Sequence, residues 1–408
     1  MSSIKKKDHY YLIDGSGYIF RAYYALPPLS RKSDGLPTGA VSGFCSMLFK
    51  LLEDARSDDS KNKPTHFAVI FDSARKNFRN EIYSDYKANR AEAPEDLAPQ
   101  FEYIRKSVKA FNLPSIELLN YEADDLIATY AKKITEAGAK VTVISSDKDL
   151  MQLVSNKVRL FDPMKSKVIG EKEVIEKFGV KPDQVIDVQS LAGDSSDNVP
   201  GVPGIGIKTA AELINKYKTL ENLLKKASEI PQNKRRETLL SNKDKAMISK
   251  QLVTLKNDVP LKNDAADFII KDIDKDKLYD FLRDMEFNRL LSQAISFYGE
   301  PGNKDFNEKT SFKKNNKINT KIYKTISKEK HLDELIKKLN EKSVIAVDTE
   351  TSSLNPQEAD LVGVSVCYEA NEAFYIPVGH KERTELKKDV VLKKLKPILE
   401  DPSIKKVG

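Results

Sequence analysis

Up to about residue 180, the chain alternates two hydrophobic rhythms. In the first, short apolar runs end on an aspartate: YYLID at Asp14, FAVIFD at Asp72 and VTVISSD at Asp147. Unbroken runs rich in β-branched and aromatic residues read as strands buried on both faces of an α/β sheet. In the second, GAVSGFCSMLFKLLEDAR, PEDLAPQFEYIRKSVKAFN and EADDLIATYAKKITEAG carry apolar residues at helical spacing. The alternation predicts an α/β fold over residues 1–180, with a central, mostly parallel sheet and flanking helices. Ligands bind such sheets beyond the carboxyl ends of the strands. The pattern therefore delivers three carboxylates to the edge where sites form.

From 181 to 299 the strand rhythm fades, and ELINKYKTLENLLKKASEI and KDKLYDFLRDMEFNRLLSQA predict a helical subdomain. Residues 300–325 are polar, rich in Lys and Asn and without apolar periodicity, which predicts a linker. Over 326–408 the rhythm returns. SKEKHLDELIKKLN is an amphipathic helix, VIAVDTETSSL a strand carrying Asp348, and ADLVGVSVCYEANEAFYIPV two strands that can form a hairpin. The chain stops at SIKKVG inside what reads as an unfinished α/β unit, so a truncation at Gly408 is expected.

Composition narrows the chemistry. A length of 408 residues predicts two to three domains. No apolar stretch spans a bilayer, and MSSIKKKDHYYLID lacks the apolar core of a secretory signal, so a cytoplasmic protein without membrane partners is expected. Cys45 and Cys367 are too few and too far apart for a disulfide framework or a zinc site, and the four histidines form no ligand-spaced pair. Any metal would be held by oxygen, which points to Mg²⁺ or Mn²⁺. The net charge of +7 is a weak pointer to a polyanionic partner.

Three acidic doublets accompany the strand-end aspartates: Glu122/Asp125 in YEADDL, Asp147/Asp149 in SSDKDL and Asp194/Asp197 in LAGDSSDN. A helix starting at Glu122 would place Glu122 and Asp125 on one face and turn Asp124 away. Asp147 and Asp149 would share one side of an extended segment. Unit charges about 4 Å apart repel by roughly 4 kcal/mol at an effective dielectric near 20. If these carboxylates converge, cations must lie between them. The bland alternative for each doublet is a solvated surface or a helix cap.

With these doublets, YLIDGSGYIFRAYYA, YKANRAEAPEDL, YEADDLIATYA, VISSDKDLMQLV and LAGDSSDNVPGVPGIGIKTAAELI occur in the order seen in a known family. The chain resembles the 5′ nuclease domain of bacterial DNA polymerases I, within the flap endonuclease family, over roughly residues 8–295. The resemblance implies two divalent cations held by carboxylates at Asp14, Asp72, Glu122, Asp124, Asp125, Asp147, Asp149, Asp194 and Asp197. It also implies that Lys87 and Arg90, three apart on a helix, contact the scissile phosphate, although Ala91 stands where the family usually has proline. Arg21 matches a basic DNA-contacting position, with a structural salt bridge as the alternative. GVPGIGIKTAAEL resembles a helix–hairpin–helix turn, in which Gly204, Gly206 and Lys208 would grip the duplex backbone and carbonyls would hold K⁺.

VIAVDTETSSLNP resembles the first motif of the 3′–5′ proofreading exonucleases, a ribonuclease H-like α/β domain truncated here, with Asp348 and Glu350 as ligands of an incomplete second site. The implied protein is a monomeric 5′–3′ exonuclease and flap endonuclease of replication and repair. Its substrates would be DNA with 5′ flaps, nicks or RNA primers. A noncatalytic module that binds branched DNA is the alternative.

Overall fold

The computed structural model describes residues 4–57, 63–163 and 165–301, and in the C-terminal part 323–342, 344–353, 358–369, 372–380, 386–402 and 404–407. Most of the expected linker lies outside the described residues. The chain divides into two compact units, Met1–Asn303 and Lys304–Gly408.

The first unit is built on six strands: β1 (His9–Asp14), β2 (His66–Ile70), β3 (Ser115–Ile116), β4 (Lys140–Ile144), β5 (Val158–Asp162) and β6 (Lys167–Ile169). Their order across the sheet is β3-β2-β1-β4-β5-β6, parallel throughout except for β6 against β5. Alternation along each strand sends side chains to two buried layers. Leu12, Ile70 and Val143 enter one hydrophobic core, and Ile13, Val69, Phe71 and Ile144 enter the other. Helices Gly39–Ser57 and Gln100–Ala110 cover the second layer, and Ala123–Glu136 covers the first. Both faces are dry, which is why these strands read as continuous apolar runs.

From β1 the chain first winds outward through β2 and β3, then returns to the other side of β1 for β4 and β5. The winding direction thus reverses between β1 and β4. At such a switch point the connections leave a crevice at the strand carboxyl ends. Asp14 closes β1, Asp72 lies just past β2 and Asp147 just past β4, so all three border that crevice.

Past residue 181 the unit is helical apart from isolated bridges, as expected. Helix Val185–Ala192 leads into a loop holding Asp194 and Asp197, then into a turn capped by helix Ile207–Tyr217. Helix Lys243–Val253 packs beside Val185–Ala192.

The second unit has a five-stranded sheet made of β7 (Lys324–Thr325), β8 (Val344–Thr351), β9 (Leu361–Glu369), β10 (Glu372–Pro377) and β11 (Lys405–Val407). The order is β11-β8-β9-β10-β7, with β9 and β10 forming the expected antiparallel hairpin. Leu332, Leu335, Leu339, Val391, Leu395 and Ile398, from its two helices, build a separate core with the sheet. Among the described residues, no helix is long and apolar enough to cross a membrane.

Candidate active site

The crevice is a cleft of about 660 Å³ lined by seven carboxylates: Asp14, Asp72, Glu122, Asp124, Asp147, Asp149 and Asp197. Lys87, Arg90 and Arg79 share its wall. Asp125 and Asp194, also expected there, are not among the lining residues.

Local chemistry orients each group. Asp14 caps the helix Gly15–Ala25, accepting from the Gly17 amide at 2.8 Å and from the Ser145 hydroxyl at 2.8 Å. A side chain at Gly17 would press directly on this carboxylate, which explains the small residue there. The Ser145 hydroxyl also accepts from the Asp147 amide at 3.0 Å, and Asp147 in turn accepts from the Asp149 amide at 2.8 Å. Asp149 opens a 3₁₀ turn, so the pair lies on a tightening coil and not on an extended segment. The Asp72 amide donates to Ser16 at 2.8 Å, and its carboxylate accepts from the Ala123 amide at 2.7 Å. These bonds fasten β1, β2, β4 and the start of the Ala123–Glu136 helix to one another.

That helix start departs from expectation. Glu122 is its N-cap, with extended backbone (φ −83°, ψ 158°), so the facing rule for helical residues three apart does not apply to it. Asp125 turns back in a capping box and accepts from the Glu122 amide at 3.2 Å. Its two oxygens also take both ends of the Arg79 guanidinium, each at 2.7 Å, and it is fully buried. Its lone pairs are thus committed within the protein, and Asp124, expected to point away, is the residue that lines the cleft.

A second departure is at Lys87 and Arg90. Residues 84–89 form turns and Arg90 a bend, and Lys87 adopts left-handed backbone (φ 55°), uncommon and costly for a residue with a side chain. Lys87 and Arg90 nevertheless converge. Lys87 pairs with Glu122 and, at 3.5 Å, with Asp197, and Arg90 also pairs with Asp197. Asp194 lies apart, paired with Lys148 at 2.6 Å.

Among the described residues, the ion pairs of the cleft fall on Glu122 and Asp197, and none reaches Asp14, Asp72, Asp124, Asp147 or Asp149. The electrostatics follow this division. Burial pushes Asp14 up to about 6, against the pull of its two hydrogen bonds. Burial and the neighbouring Asp147 charge push Asp149 up to about 7. Asp124 rises well above the carboxylate range through burial and the nearby Asp147 and Asp14, and Asp72 rises through burial and Glu122. Burial would also raise Glu122, but the Lys87 and Arg79 cations outweigh it and hold Glu122 below its ordinary value. Among the described residues, no three His, Cys, Asp or Glu side chains stand at ligating spacing. Repulsion keeps apart anions that share a cavity without a cation between them. An all-oxygen, poorly compensated donor set fits a hard divalent ion such as Mg²⁺ or Mn²⁺.

Arg21 bonds Ser146 and reaches Asp162 at 3.4 Å, the structural salt bridge given as its alternative. Gly204 (φ 76°) and Gly206 have open space where a side chain would start, and Lys208 is exposed in the first turn of Ile207–Tyr217. In the second unit, Asp348 and Glu350 are exposed on one face of β8, both inside the strand. Residues not foreseen from the sequence are Arg79, Ser145 and Ser16, with Tyr86, whose hydroxyl donates to Glu122 at 3.1 Å, and Gln189, whose amide donates to Asp149 at 2.5 Å. Arg79 is 1% exposed, and nothing in the spacing of an Arg within SARKNFRNEIY signals that it is interior.

A profile described as 5′–3′ exonuclease, N-terminal resolvase-like domain, matches residues 9–179. One described as 5′–3′ exonuclease, C-terminal SAM fold, matches 180–276, and a 3′–5′ exonuclease profile matches 323–408. A 5′–3′ exonuclease of Aquifex aeolicus is 40% identical over 288 residues, covering 71% of this chain and 96% of that protein. The DNA polymerase I of Rhizobium leguminosarum is 56% identical over 291 residues, 71% of this chain and 29% of the polymerase. That of Pseudomonas aeruginosa is 37% identical over 412 residues, 97% of this chain and 43% of the polymerase. The chain thus spans less than half of either polymerase. A solved structure of zinc-bound T5 5′-exonuclease superposes with a TM-score of 0.52 at 23% identity, covering 68% of this chain and 98% of that one, a likeness of fold.

Proposed function

The chain belongs to the 5′–3′ exonuclease family and carries the flap-endonuclease domains found in DNA polymerase I, and from that membership we propose that its acidic cleft cuts phosphodiesters near a free 5′ end with two bound divalent cations. The observation that supports this most is the meeting of seven carboxylates, five of them in no ion pair among the described residues, beside Lys87 and Arg90. Asp14, Asp72, Asp124, Asp147 and Asp149 are the residues we assign to holding Mg²⁺ or Mn²⁺, with Glu122 and Asp197 at the margin. When bound, the pair would activate a water and stabilise the departing 3′ oxygen of an in-line displacement.

The chain's own residues do the rest. Lys87 and Arg90 present two cations at the mouth of the cleft, where a scissile phosphate can draw them from Glu122 and Asp197. Arg90 is exposed and reaches solvent, so it meets the substrate first. At the Gly204 turn, backbone amides at the N-terminus of helix Ile207–Tyr217 and Lys208 grip duplex phosphates without reading sequence. K⁺ held by carbonyls of this turn, DNA with 5′ flaps, nicks or RNA primers as substrate, a monomeric state and a cytoplasmic setting complete the reading. Asp125 and Asp194 serve structure in it, and Asp348 and Glu350 form an incomplete second site.

A 5′-labelled flap duplex incubated with the purified chain tests the reading. Cleavage that appears with Mg²⁺ or Mn²⁺ and stops with EDTA is expected. Tight binding of branched DNA with no cation-dependent product would instead favour the noncatalytic module.

A further inference from the structure

We propose that Arg79 is a positioning residue that ties the helical, DNA-gripping region to the acidic wall of the cleft; the proposal rests on the cleft being the cutting site. Arg79 is 1% exposed, and each of its N–H donors has an acceptor. The Nε group donates to the Leu252 carbonyl at 2.8 Å. One terminal nitrogen bridges Glu122 at 3.2 Å and Asp125 at 2.7 Å. The other bridges Asp125 at 2.7 Å and the Thr254 carbonyl at 3.2 Å. Only a planar five-donor fork can serve four residues on two segments of chain at once; a lysine offers a point charge.

Those carbonyls belong to the end of helix Lys243–Val253 and the residue after it. The same helix carries Ser249, fully buried, whose hydroxyl accepts from the Gly201 amide at 2.9 Å, three residues before Gly204 in the turn. The Lys256 amide completes the joint, donating to Asp125 at 2.9 Å. A continuous set of bonds therefore runs from the phosphate-gripping turn through Ser249, helix Lys243–Val253 and Arg79 to Glu122. Glu122 in turn pairs with Lys87. Arg79 touches neither phosphate nor reacting oxygen in this scheme. It sets where Glu122, and through it Lys87, stand when the duplex is seated.

The bland alternative is a buried ion pair that serves stability alone. The test uses the full chain with three changes: Arg79→Lys; Arg79→Gln combined with Asp125→Asn, which leaves no uncompensated buried charge; and Ser249→Ala. Cleavage of the flap duplex is normalised to the folded fraction. The positioning role predicts that kcat falls about 10- to 100-fold in the first two, with KM and the EDTA-state duplex Kd within about threefold of wild type. Affinity of the DNA-free protein for Mn²⁺ should fall by a similar factor. Ser249→Ala should lower kcat less, and its effect should shrink when added to Arg79→Lys, as coupled sites require. Wild-type kcat and Mn²⁺ affinity in variants that merely melt earlier would overturn the proposal. If the wild type itself fails to cut with Mg²⁺ present, the reading of the cleft falls first and the proposal falls with it.

Discussion

The two sides of the cleft handle burial of negative charge in opposite ways. Glu122 and Asp197 share Lys87, and Arg79 and Arg90 add a second cation to each. Asp14, Asp72, Asp124 and Asp149 form no ion pair among the described residues, and burial raises all four above their ordinary value. A side that carries its own cations can be finished by folding. On the proposed reading, the other side is completed by ions from solution. In that reading a wall that orients stands against a floor that binds, although both are written in the sequence with the same two residue types.

The largest effect expected of this division is on catalysis and stability together. Asp14→Asn and Asp147→Asn should each lower cleavage by at least about 100-fold while leaving duplex binding intact, because a cation ligand is worth several kcal/mol to the transition state. Asp14→Asn should also stabilise the cation-free protein, by about 2 kcal/mol, since it removes a buried charge held up by burial. Glu122→Gln should do the reverse and destabilise by about 3 kcal/mol, because Lys87 and Arg79 lose a partner. Chemical denaturation of the three variants with EDTA present measures this. Equal signs for Asp14→Asn and Glu122→Gln would erase the distinction between the two sides.

Cation binding should stabilise the wild type by about 2.7 kcal/mol at a hundredfold excess over Kd, and much less once Asp14 is Asn. Thermal melts with and without Mg²⁺ read this directly. The pH dependence sharpens the same contrast. Groups raised on folding contribute stability that is complete below their ordinary value near 3.8 and is lost as pH climbs through about 6 for Asp14 and about 7 for Asp149. Glu122, held low, contributes stability that is present above its ordinary value near 4.5 and disappears only in stronger acid. Without cations, melting temperature should therefore fall between about pH 4 and 7, and saturating Mg²⁺ should flatten that slope. A flat cation-free profile would place no raised carboxyls in the cleft.

A smaller effect is expected at the Gly204 turn. Lys208→Ala should weaken duplex binding a few-fold regardless of sequence and reduce the salt slope by about 1. An unchanged slope argues against a phosphate contact there. The smallest is expected in the second unit, where Asp348→Ala should leave flap cleavage unaltered, since Asp348 lies exposed on β8 of a separate unit.

Much of this architecture was legible before any coordinates. Apolar runs gave β1, β2 and β4, and their abrupt ends placed Asp14, Asp72 and Asp147 at one sheet edge, because strand and connection differ sharply in hydrophobicity. The β9–β10 hairpin and the helical stretch after residue 181 were equally readable. The choice between Asp124 and Asp125 was not. It turns on a single N-cap residue whose extended backbone breaks the helical facing rule, and on Arg79, a charge whose burial no local pattern announces. The turn at Lys87 was illegible for a related reason. Its left-handed backbone accompanies pairing with Glu122 and Asp197, both distant in sequence, and local propensity does not announce it.

The central claim, that solution cations complete the uncompensated side, is tested most directly by anomalous diffraction from crystals soaked in Mn²⁺. The account predicts strong peaks among Asp14, Asp72, Asp124, Asp147 and Asp149, with Lys87 still beside Glu122 when DNA is absent. A cleft free of anomalous density at saturating Mn²⁺, or peaks confined to other faces, would contradict it.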